Sequence, residues 1–495
     1  MAGANGFDAV IVGGGSAGCV VAARLAESPS RSVLLVEAGP DLRADLPAGF
    51  SDGWRLPRGF DWGYASEPDT RGVPQDLRRG KLVGGTSWLT RFAVRGSPAD
   101  YDAWAGLGSP GWGFTDVLPY FRRLEADADF GDQPWHGDAG PIPVSRYPSV
   151  GLTEAGAAGL AALEAAGFPL IEDHNRPGAV GVARMPMNSR EGVRVTTADA
   201  YLPAGGTPPN LTILPGAQVA DVMFEGTRAT GVRLLGGLVI EAGWVVLCAG
   251  TYGSPAVLMR SGIGPAGHLR THGIGVRADL PGVGANLADH GGVDIDCGYA
   301  GPARTAPVFH LLATFRSSAT PSGEAPDLML WLSDPRGDPP VFEIDAGLLR
   351  PRSRGRVRLR SADPAEPPSI ELPGLRDPSD AERLAEAYLR GLEVVGHKQI
   401  RRLCPGPSPP HPRGAGDLRD LIHATSYSFP HVTGTCAMGL RPDDGAVVDP
   451  SGRVHGTDRL TVADASIVPN ATSAFTHIPT VMLAERLSEQ VAAAT

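Results

Sequence analysis

Residues 7–39, FDAVIVGGGSAGCVVAARLAESPSRSVLLVEAG, contain the pattern that decides the fold. The apolar, β-branched run Phe7–Val12 predicts a strand that is buried on both faces. Glycines at positions 13, 15 and 18 follow in G-x-G-x-x-G spacing, and a helical pattern begins after them. A second strand over residues 32–36 ends at Glu37, about 20 residues past the glycines. This order of strand, turn, helix and strand predicts a Rossmann-like unit.

The residues of this turn predict a site for an ADP moiety. The first glycine permits the tight turn, the second lets backbone N–H groups approach a pyrophosphate, and the third lets the helix pack on the strand. The helix N-terminus supplies free N–H groups and a positive dipole end, and the acidic residue can accept hydrogen bonds from ribose hydroxyls. The candidate residues are Gly13, Gly15, Ser16, Ala17, Gly18 and Glu37. FAD and NAD share this moiety, so the unit alone does not choose between them.

Length and composition limit the possible classes of protein. The 495 residues, 42% of them hydrophobic, suffice for two domains or for one with a large insertion. There are 54 acidic and 44 basic residues and no basic block of the kind that follows a nucleic-acid backbone, so we expect no nucleic-acid partner. No apolar run approaches the length of a membrane span.

The N-terminus and the cysteines indicate the compartment. The first residues lack the charged region and the apolar core of a signal peptide. The five cysteines are scattered and contain no C-x-x-C pair, so we expect neither a disulfide framework nor a zinc site. These observations predict a cytoplasmic protein without a metal centre.

Hydrophobic periodicity predicts the remaining elements. Helices are expected at residues 116–124, 153–167 and 479–491, and a capping box at residues 379–382 is expected to open another. Residues 211–235 predict an antiparallel hairpin or meander, and residues 239–247 a buried strand. Strand-like runs at residues 308–315, 327–332, 341–349 and 356–360 predict an antiparallel sheet in a second domain.

Several longer segments carry more specific information than periodicity does. They are DWGYASEP (61–68), RGKLVGGTSWLTRFAVRG (79–96), GTYGSPAVLMRSGIGP (250–265), PGVGANLADH (281–290), SRGRVRLRSADP (353–364), HVTGTCAMG (431–439) and VADASIVPNATSAFTHIPTVMLAE (462–485). With these segments in this order, the chain resembles the glucose–methanol–choline (GMC) family of FAD-dependent oxidoreductases nearly from end to end.

The resemblance implies an α/β fold with two discontinuous domains. A Rossmann-like FAD-binding domain would comprise residues 1–150, 191–298 and 441–495. An α+β substrate-binding domain built on an antiparallel sheet would comprise residues 151–190 and 299–440. The implied cofactor is FAD, and we expect it to be bound non-covalently because residues 79–96 contain no histidine.

The resemblance also implies further contacts with FAD. Glu37 would hold the adenosine ribose, and the backbone of Val219 would meet the adenine. The other implied cofactor-binding residues are Trp62, Val83, Gly85, Thr86, Thr90, Asp464, Ala465, Ile478 and Pro479. One departure concerns Thr90, which is followed by Arg91 and stands where choline-type relatives have asparagine.

Two histidines fall where relatives of this family place their catalytic pair. His431 opens HVTGTCAMG, and His477 lies in THIPT. A histidine suits proton transfer because its pKa lies near the working pH. The resemblance implies that His431 is the general base and that His477 hydrogen-bonds the substrate oxygen. We expect structural roles for His136, His290, His310, His423 and His455.

The leading hypothesis is FAD-dependent oxidation of a CH–OH group to an aldehyde or ketone. It involves proton abstraction, hydride transfer to flavin N5, and reoxidation by oxygen or another electron acceptor. Relatives also include hydroxynitrile lyases and fatty-acid photodecarboxylases, so a non-oxidative or light-driven flavoenzyme is the alternative. A third hypothesis is a flavoprotein that has lost activity and acts as a binding protein. The paired histidines favour the first hypothesis.

Overall fold

The computed structural model describes residues 6–47, 50, 59–69, 71–146, 152–303, 309–406 and 409–495, with the side chains of residues 309 and 310 left out. The start of the strand predicted at residue 308 and the side chain of His310 therefore lie outside the described residues. None of the described helices has both the length and the apolar character needed to cross a lipid bilayer.

The strands are short at the periphery and longer in two main sheets. In chain order they are β1 Phe7–Val12, β2 Val33–Val36, β3 Tyr64–Ala65, β4 Asp76–Leu77, β5 Glu125–Asp127, β6 Ile142–Arg146, β7 Gly181–Arg184, β8 Pro186–Met187, β9 Ser189–Arg190, β10 Val193–Arg194, β11 Leu211–Leu214, β12 Val219–Glu225, β13 Arg228–Leu234, β14 Val239–Leu247, β15 Ile263–Gly264, β16 Ala278–Asp279, β17 Gly291–Gly298, β18 Phe309–Phe315, β19 Leu328–Arg336, β20 Val341–Leu348, β21 Arg356–Arg358, β22 Ser369–Glu371, β23 Tyr427–Ser428 and β24 Leu460–Val462.

The helices lie between these strands and close the chain. They are α1 Ser16–Ala26, α2 Pro98–Gly106, α3 Phe114–Leu124, α4 Glu154–Ala165, α5 Thr197–Tyr201, α6 Gly250–Arg260, α7 Ala266–Thr271, α8 Pro378–Val395, α9 Lys398–Leu403, α10 Ala415–Thr425 and α11 His477–Ala494. Short 3₁₀ turns occupy Gly85–Leu89, Pro442–Asp444 and Ala465–Ile467.

The first sheet confirms the Rossmann-like unit. Strands β11, β2, β1, β14 and β24 are parallel neighbours, and the β12–β13 hairpin adds to the first half of β14 in antiparallel orientation. All four residues of β2 are buried, as expected for a strand covered on both faces. α1 packs its buried stripe, including Val21 and Leu25, between this sheet and α11.

The second sheet is antiparallel, with the order β23-β17-β20-β19-β18-β7. One face packs on α4 and α8 through residues such as Ile344 and Leu384. The other face carries Leu312, Met329 and Trp331, which pack with aromatic residues from the first half of the chain and from its C-terminal part. This architecture confirms the α/β fold class with an additional antiparallel sheet.

Three details differ from the expectations. Leu211–Leu214 is not part of a hairpin but pairs in parallel with β2, because an edge strand of a parallel sheet also alternates between buried and exposed residues. The helix that the capping box at residues 379–382 was expected to open is α8. It begins at Pro378 with Asp377 as its N-cap, since proline favours the first helical position. Gly291–Gly298, which the resemblance placed in the FAD-binding segment 191–298, pairs along its length with β20 of the second sheet. The domain division stays a proposal.

A buried network of charged side chains joins residues from the two proposed domains. Its members are Arg95, Glu125, Asp127, His136, Arg146 and Asp173. His136 Nδ1 lies 2.6 Å from Glu125 Oε1, and His136 Nε2 lies 3.0 Å from Asp173 Oδ2. Burial alone would lower the pKa of His136, but its bonds to Asp173 and Glu125 outweigh burial and raise it. The charged imidazolium therefore supplies the positive charge that the carboxylates need.

The network generates a prediction about stability. The substitution His136→Gln removes a buried charge partner and should destabilise the fold by about 3–5 kcal/mol at pH 6. Because the folded pKa of His136 is raised, its contribution is complete below the unfolded pKa of about 6.5 and declines as pH rises through the folded pKa. The difference in Tm between the wild type and the His136→Gln variant should be larger at pH 6 than at pH 9. His455→Gln, at a ring that bonds the Gly439 carbonyl, serves as control; an equal pH trend there would contradict the assignment.

Candidate active site

Glycine backbone from two segments forms an open cradle at the end of β1. Gly13 has a φ of +100°, and a Cβ at Gly18 would lie 1.8 Å from the Gly13 carbonyl oxygen. A Cβ at Gly85, in the segment after β4, would lie 2.6 Å from the Cα of Gly15. By contrast, a Cβ at Gly15 would meet no atom within 4 Å. The backbone is thus tightly packed around Gly13, Gly18 and Gly85, while the space beside Gly15 is open. This open space fits a pyrophosphate held by backbone N–H groups at the start of α1.

Glu37 lies beside this cradle, at the end of β2. Its carboxylate accepts hydrogen bonds from the N–H groups of Gly14 and Gly39, each at 2.8 Å. The residue is only 5% exposed, and burial raises its pKa to about 7 against the opposing effect of these two bonds. Each carboxylate oxygen keeps a lone pair that can accept a ribose hydroxyl. The position therefore fits the predicted role at the adenosine.

A continuous cavity of about 540 Å³ leads from this cradle to the two predicted catalytic histidines. Most of the predicted cofactor-binding residues line it: Gly13, Gly15, Ser16, Ala17, Glu37, Trp62, Gly85, Thr86, Thr90, Val219, Asp464 and Ala465. Gly18, Val83, Ile478 and Pro479 lie outside this lining. Val83 and Ile478 are fully packed, and the Val83 carbonyl accepts the Trp88 indole N–H at 2.9 Å. The elongated shape and the glycine cradle together fit a dinucleotide such as FAD.

The adenosine end of this cavity is enclosed by residues that periodicity did not indicate. Trp62 stacks on Tyr64 with an interplanar angle of 2°, and the Lys81 ammonium lies 4.6 Å from the Trp62 ring centroid. Gln218, next to Val219, donates to the Pro364 carbonyl at 2.9 Å, so the segment 364–368 also lines the cavity. These contacts join three distant stretches of chain around the expected position of the adenine.

Asp464 ties the C-terminal part of the chain to the N-terminus of α6. Its carboxylate accepts the Gly250 N–H at 2.9 Å, the Ser254 hydroxyl at 2.6 Å and the Ser466 N–H at 2.8 Å. Asp464 is buried and also caps the Ala465–Ile467 turn. These bonds fix the cavity wall at the point where the sequence predicted a contact with the cofactor, and Asp464 itself lines the cavity.

His431 lies at the other end of the cavity and is held from three sides. Its backbone N–H donates to Asp289 Oδ1 at 2.7 Å. Its ring stacks on Phe429 at an interplanar angle of 10° and meets Phe475 edge-on, with centroids 5.0 Å apart. Burial, the neighbouring His290 and the guanidinium of Arg79 lower the pKa of His431 well below its usual value. The imidazole is therefore neutral at pH 7, as a general base must be.

The tautomer of His431 follows from its neighbour His290. His290 Nε2 lies 3.1 Å from the Thr472 carbonyl oxygen, which can only accept, so Nε2 carries the proton. Burial lowers the pKa of His290 to about 4, which keeps it neutral and leaves a lone pair on Nδ1. His431 Nδ1, 3.1 Å away, must then donate to it. This arrangement leaves the lone pair of His431 on Nε2, which has no hydrogen-bond partner among the described residues.

His477 is the first residue of α11 and lines the same end of the cavity. Its side chain is buried, and its Nε2 has no hydrogen-bond partner among the described residues. Burial and, to a smaller extent, the charge of Arg194 lower the pKa of His477 to about 4. A buried, neutral and unpartnered imidazole nitrogen is available to a ligand.

The structure adds residues that the sequence did not assign to the site. His290, expected to be structural, contacts His431 directly; its position in PGVGANLADH was the one available signal. Four aromatic side chains also line the catalytic end: Phe92, Trp331, Phe429 and Phe475. They come from segments far apart in sequence, so no local pattern could have grouped them. Thr90, which stands in the sequence where choline-type relatives have asparagine, lines the cavity.

Comparisons with known proteins agree with this geometry. Two family models described as GMC oxidoreductase match residues 7–291 and 351–484. The chain is 36% identical over 531 residues to 5-(hydroxymethyl)furfural oxidase from Methylovorus sp. (strain MP688), with 98% of both proteins covered. It is 34% identical over 540 residues to oxygen-dependent choline dehydrogenase from Paraburkholderia phymatum, covering 99% of this chain and 93% of that protein.

A solved structure gives the same result for the fold. Pyridoxine 4-oxidase from Mesorbium loti superposes with a TM-score of 0.91 at 32% identity, covering 98% of this chain and 99% of that one. The glycine cradle, the buried acidic residue after β2 and the elongated cavity fit the FAD that such enzymes bind. This chain belongs to the GMC oxidoreductase family of FAD-dependent enzymes.

Proposed function

We propose that the protein oxidises a primary alcohol with a flat, uncharged aromatic body to the aldehyde, with His431 as general base. The observation that carries this proposal is the free Nε2 of a neutral His431 in the cavity that holds the glycine cradle. When bound, FAD supplies the acceptor for the hydride. Reoxidation by oxygen or another electron acceptor and non-covalent binding of FAD are parts of the same proposal.

The chain's own residues would handle the proton of the alcohol. The lone pair on His431 Nε2 would accept the hydroxyl proton, and the Nδ1–H bond to His290 would stabilise the imidazolium that forms. His477 would hydrogen-bond the substrate oxygen and favour the developing alkoxide. The surrounding aromatic side chains exclude water, which strengthens both interactions.

The lining of the catalytic end supports an aromatic substrate. Phe92 lies 4.9 Å from Trp331 and 4.7 Å from Phe475 between ring centroids, so the rings form one continuous apolar wall. The carboxylates that line the cavity, Glu37, Glu366 and Asp464, belong to its cofactor end. The Asp289 carboxylate, which accepts the backbone N–H of His431, is not part of this lining, whereas the Arg79 side chain is. A quaternary ammonium group would therefore find rings here but no carboxylate in the lining of the catalytic end. The name of the furfural oxidase relative fits this substrate class.

The alternative is a non-oxidative or light-driven flavoenzyme such as a hydroxynitrile lyase or a fatty-acid photodecarboxylase. It would use the same cradle for FAD but would not reduce the flavin with an alcohol. Anaerobic mixing with alcohols therefore discriminates between the two proposals, and admission of air then separates an oxidase from a dehydrogenase.

Replacing the proposed base should abolish turnover while FAD stays bound. His431→Asn should lower the rate constant of anaerobic flavin reduction by about 10²–10⁴-fold, the usual effect of losing a general base. His477→Asn should have a smaller effect because asparagine can still donate a hydrogen bond. His423→Gln, at an exposed position of α10, is the matched control. Unchanged flavin reduction in His431→Asn would refute the role of His431.

His290 should act as a positioning residue for His431. His290→Leu removes the acceptor of the Nδ1 proton, so we expect kcat to fall by about 10–100-fold, corresponding to a hydrogen bond to a charged group. The imidazolium also loses stabilisation, so the acid limb of the pH profile of kcat/KM should move to lower pH. His290→Asn should retain the wild-type kcat and pH profile, because the asparagine amide oxygen can accept the hydrogen bond from His431 Nδ1–H. If His290→Leu lowers Tm but leaves the pH profile of kcat/KM unchanged, the role of His290 is purely structural.

Substrate preference should follow the aromatic lining. Burying about 150 Å² of a flat ring contributes roughly 3 kcal/mol, so kcat/KM for an aryl or furan methanol should exceed that for choline by about 100-fold. Stopped-flow bleaching of the flavin by benzyl alcohol, 5-(hydroxymethyl)furfural, choline and glucose measures this ratio. Equal rates with choline would refute the aromatic assignment. A failure of every alcohol to bleach the flavin would refute alcohol oxidation itself.

A further inference from the structure

Alternating arginines follow one strand at the surface, away from the catalytic end. The stretch RPRSRGRVRLR places arginines at every second position from Arg350 to Arg360. Along β21 and the two residues after it, Val357 and Leu359 are buried, while Arg356, Arg358 and Arg360 lie on the other, more exposed face. Alternate residues of a strand lie about 7 Å apart on one face, so these guanidinium groups form a row.

The row lines a surface groove of about 600 Å³. β22 pairs with β21 in antiparallel register, which places Glu371 opposite Arg356 and Ser369 opposite Arg358. His268 of α7 closes the groove from another side. Three guanidinium groups, one imidazole, the Glu371 carboxylate and the Ser369 hydroxyl therefore line the same space, which the alcohol-oxidation site does not use. The Ser369 hydroxyl donates to Glu67 Oε1 at 2.5 Å.

The groove carries more positive than negative charge. Arg356 and Arg376 both pair with Glu371 at 2.6 Å, and Arg360 pairs with Glu67 at 2.6 Å. Arg358 forms no ion pair with the described residues and donates to the carbonyls of Val283 and Val357 at 3.1 and 3.0 Å. Among the lining residues, three guanidinium groups thus meet one carboxylate, and the adjacent Arg376 and Glu67 add one charge of each sign. The groove is therefore net positive in a chain whose net charge is −10.

Two further observations favour an anion in the groove. Burial and the neighbouring Arg356 lower the pKa of Arg358 against the opposing effect of Glu371, so a further negative charge beside its guanidinium would stabilise the charged form. His268 Nε2 accepts the Leu359 N–H at 3.1 Å, which leaves the proton of the neutral ring on Nδ1 as a donor. Arginine forks match the oxygens of phosphate in bidentate geometry, and a neutral donor adds to such a site.

We propose that this groove binds a small phosphate-bearing anion with two or more negative charges. Arg356, Arg358 and Arg360 would hold its phosphoryl oxygens, and His268 would donate one further hydrogen bond. Glu67 and Glu371 lie at the two ends of the arginine row, which limits the length of the anion and opposes a continuous nucleic-acid backbone. This site goes beyond alcohol oxidation and does not depend on it.

Pyrophosphate is the probe that tests the site. Calorimetric titration should use protein saturated with FAD, so that pyrophosphate cannot occupy the cofactor's own cradle, at low ionic strength. We expect saturable binding that Arg356→Gln and Arg360→Gln each weaken by at least about 10-fold, since each loses a charge-assisted pair. Both side chains are about half exposed, at 60% and 42%, so these substitutions should leave the fold intact.

Arg358→Lys keeps the charge but loses the planar fork and should also weaken binding. Arg233→Gln is the matched control, since Arg233 is 47% exposed and pairs with Asp221 on another strand; it should bind like the wild type. Citrate should bind more weakly than pyrophosphate, and the reverse order would overturn the assignment to phosphate. The proposal is refuted if pyrophosphate shows no saturable binding, or if the groove variants and the control bind it equally.

Discussion

The close approach of three backbone segments at the end of β1 is the constraint on which the rest of the structure depends. A side chain at Gly13 would lie 2.6 Å from the Cys248 carbonyl at the end of β14, and one at Gly85 would collide with Gly15. These contacts are possible only without Cβ atoms. They bring the ends of two parallel strands and the Gly84–Gly85 turn around one open space, where a pyrophosphate fits.

The same cavity places ionisable groups in a dry environment at both ends. Glu37 has a raised pKa at the cofactor end, and His431 and His477 have lowered pKa values at the catalytic end, in each case mainly because burial disfavours the charged form. The neutral histidines are then sensitive to single hydrogen bonds, and the contact with His290 decides which nitrogen of His431 is basic. Electrostatics and packing therefore act together to prepare the proposed base.

Local sequence predicted those parts of the site that depend on local geometry. The glycine spacing, the helix from Ser16 and the acidic residue at 37 lie within one short stretch, so one periodic pattern reveals them. The predicted hairpin at residues 211–235 was partly wrong because alternating exposure does not distinguish an antiparallel strand from the edge of a parallel sheet. The sheet that Gly291–Gly298 joins is likewise not readable from local sequence, because strand pairing is a long-range property.

The sequence by itself determined the dinucleotide fold, since the glycine spacing has a direct physical meaning, and it indicated the two histidines through the resemblance to a known family. Only the tertiary structure decided that His290 meets His431, that Phe92, Trp331 and Phe475 form one wall, and that Asp464 braces the N-terminus of α6. It also decided that the alternating arginines share one groove. These contacts join residues up to several hundred positions apart, and their distances follow from the packing of the two sheets rather than from any local pattern.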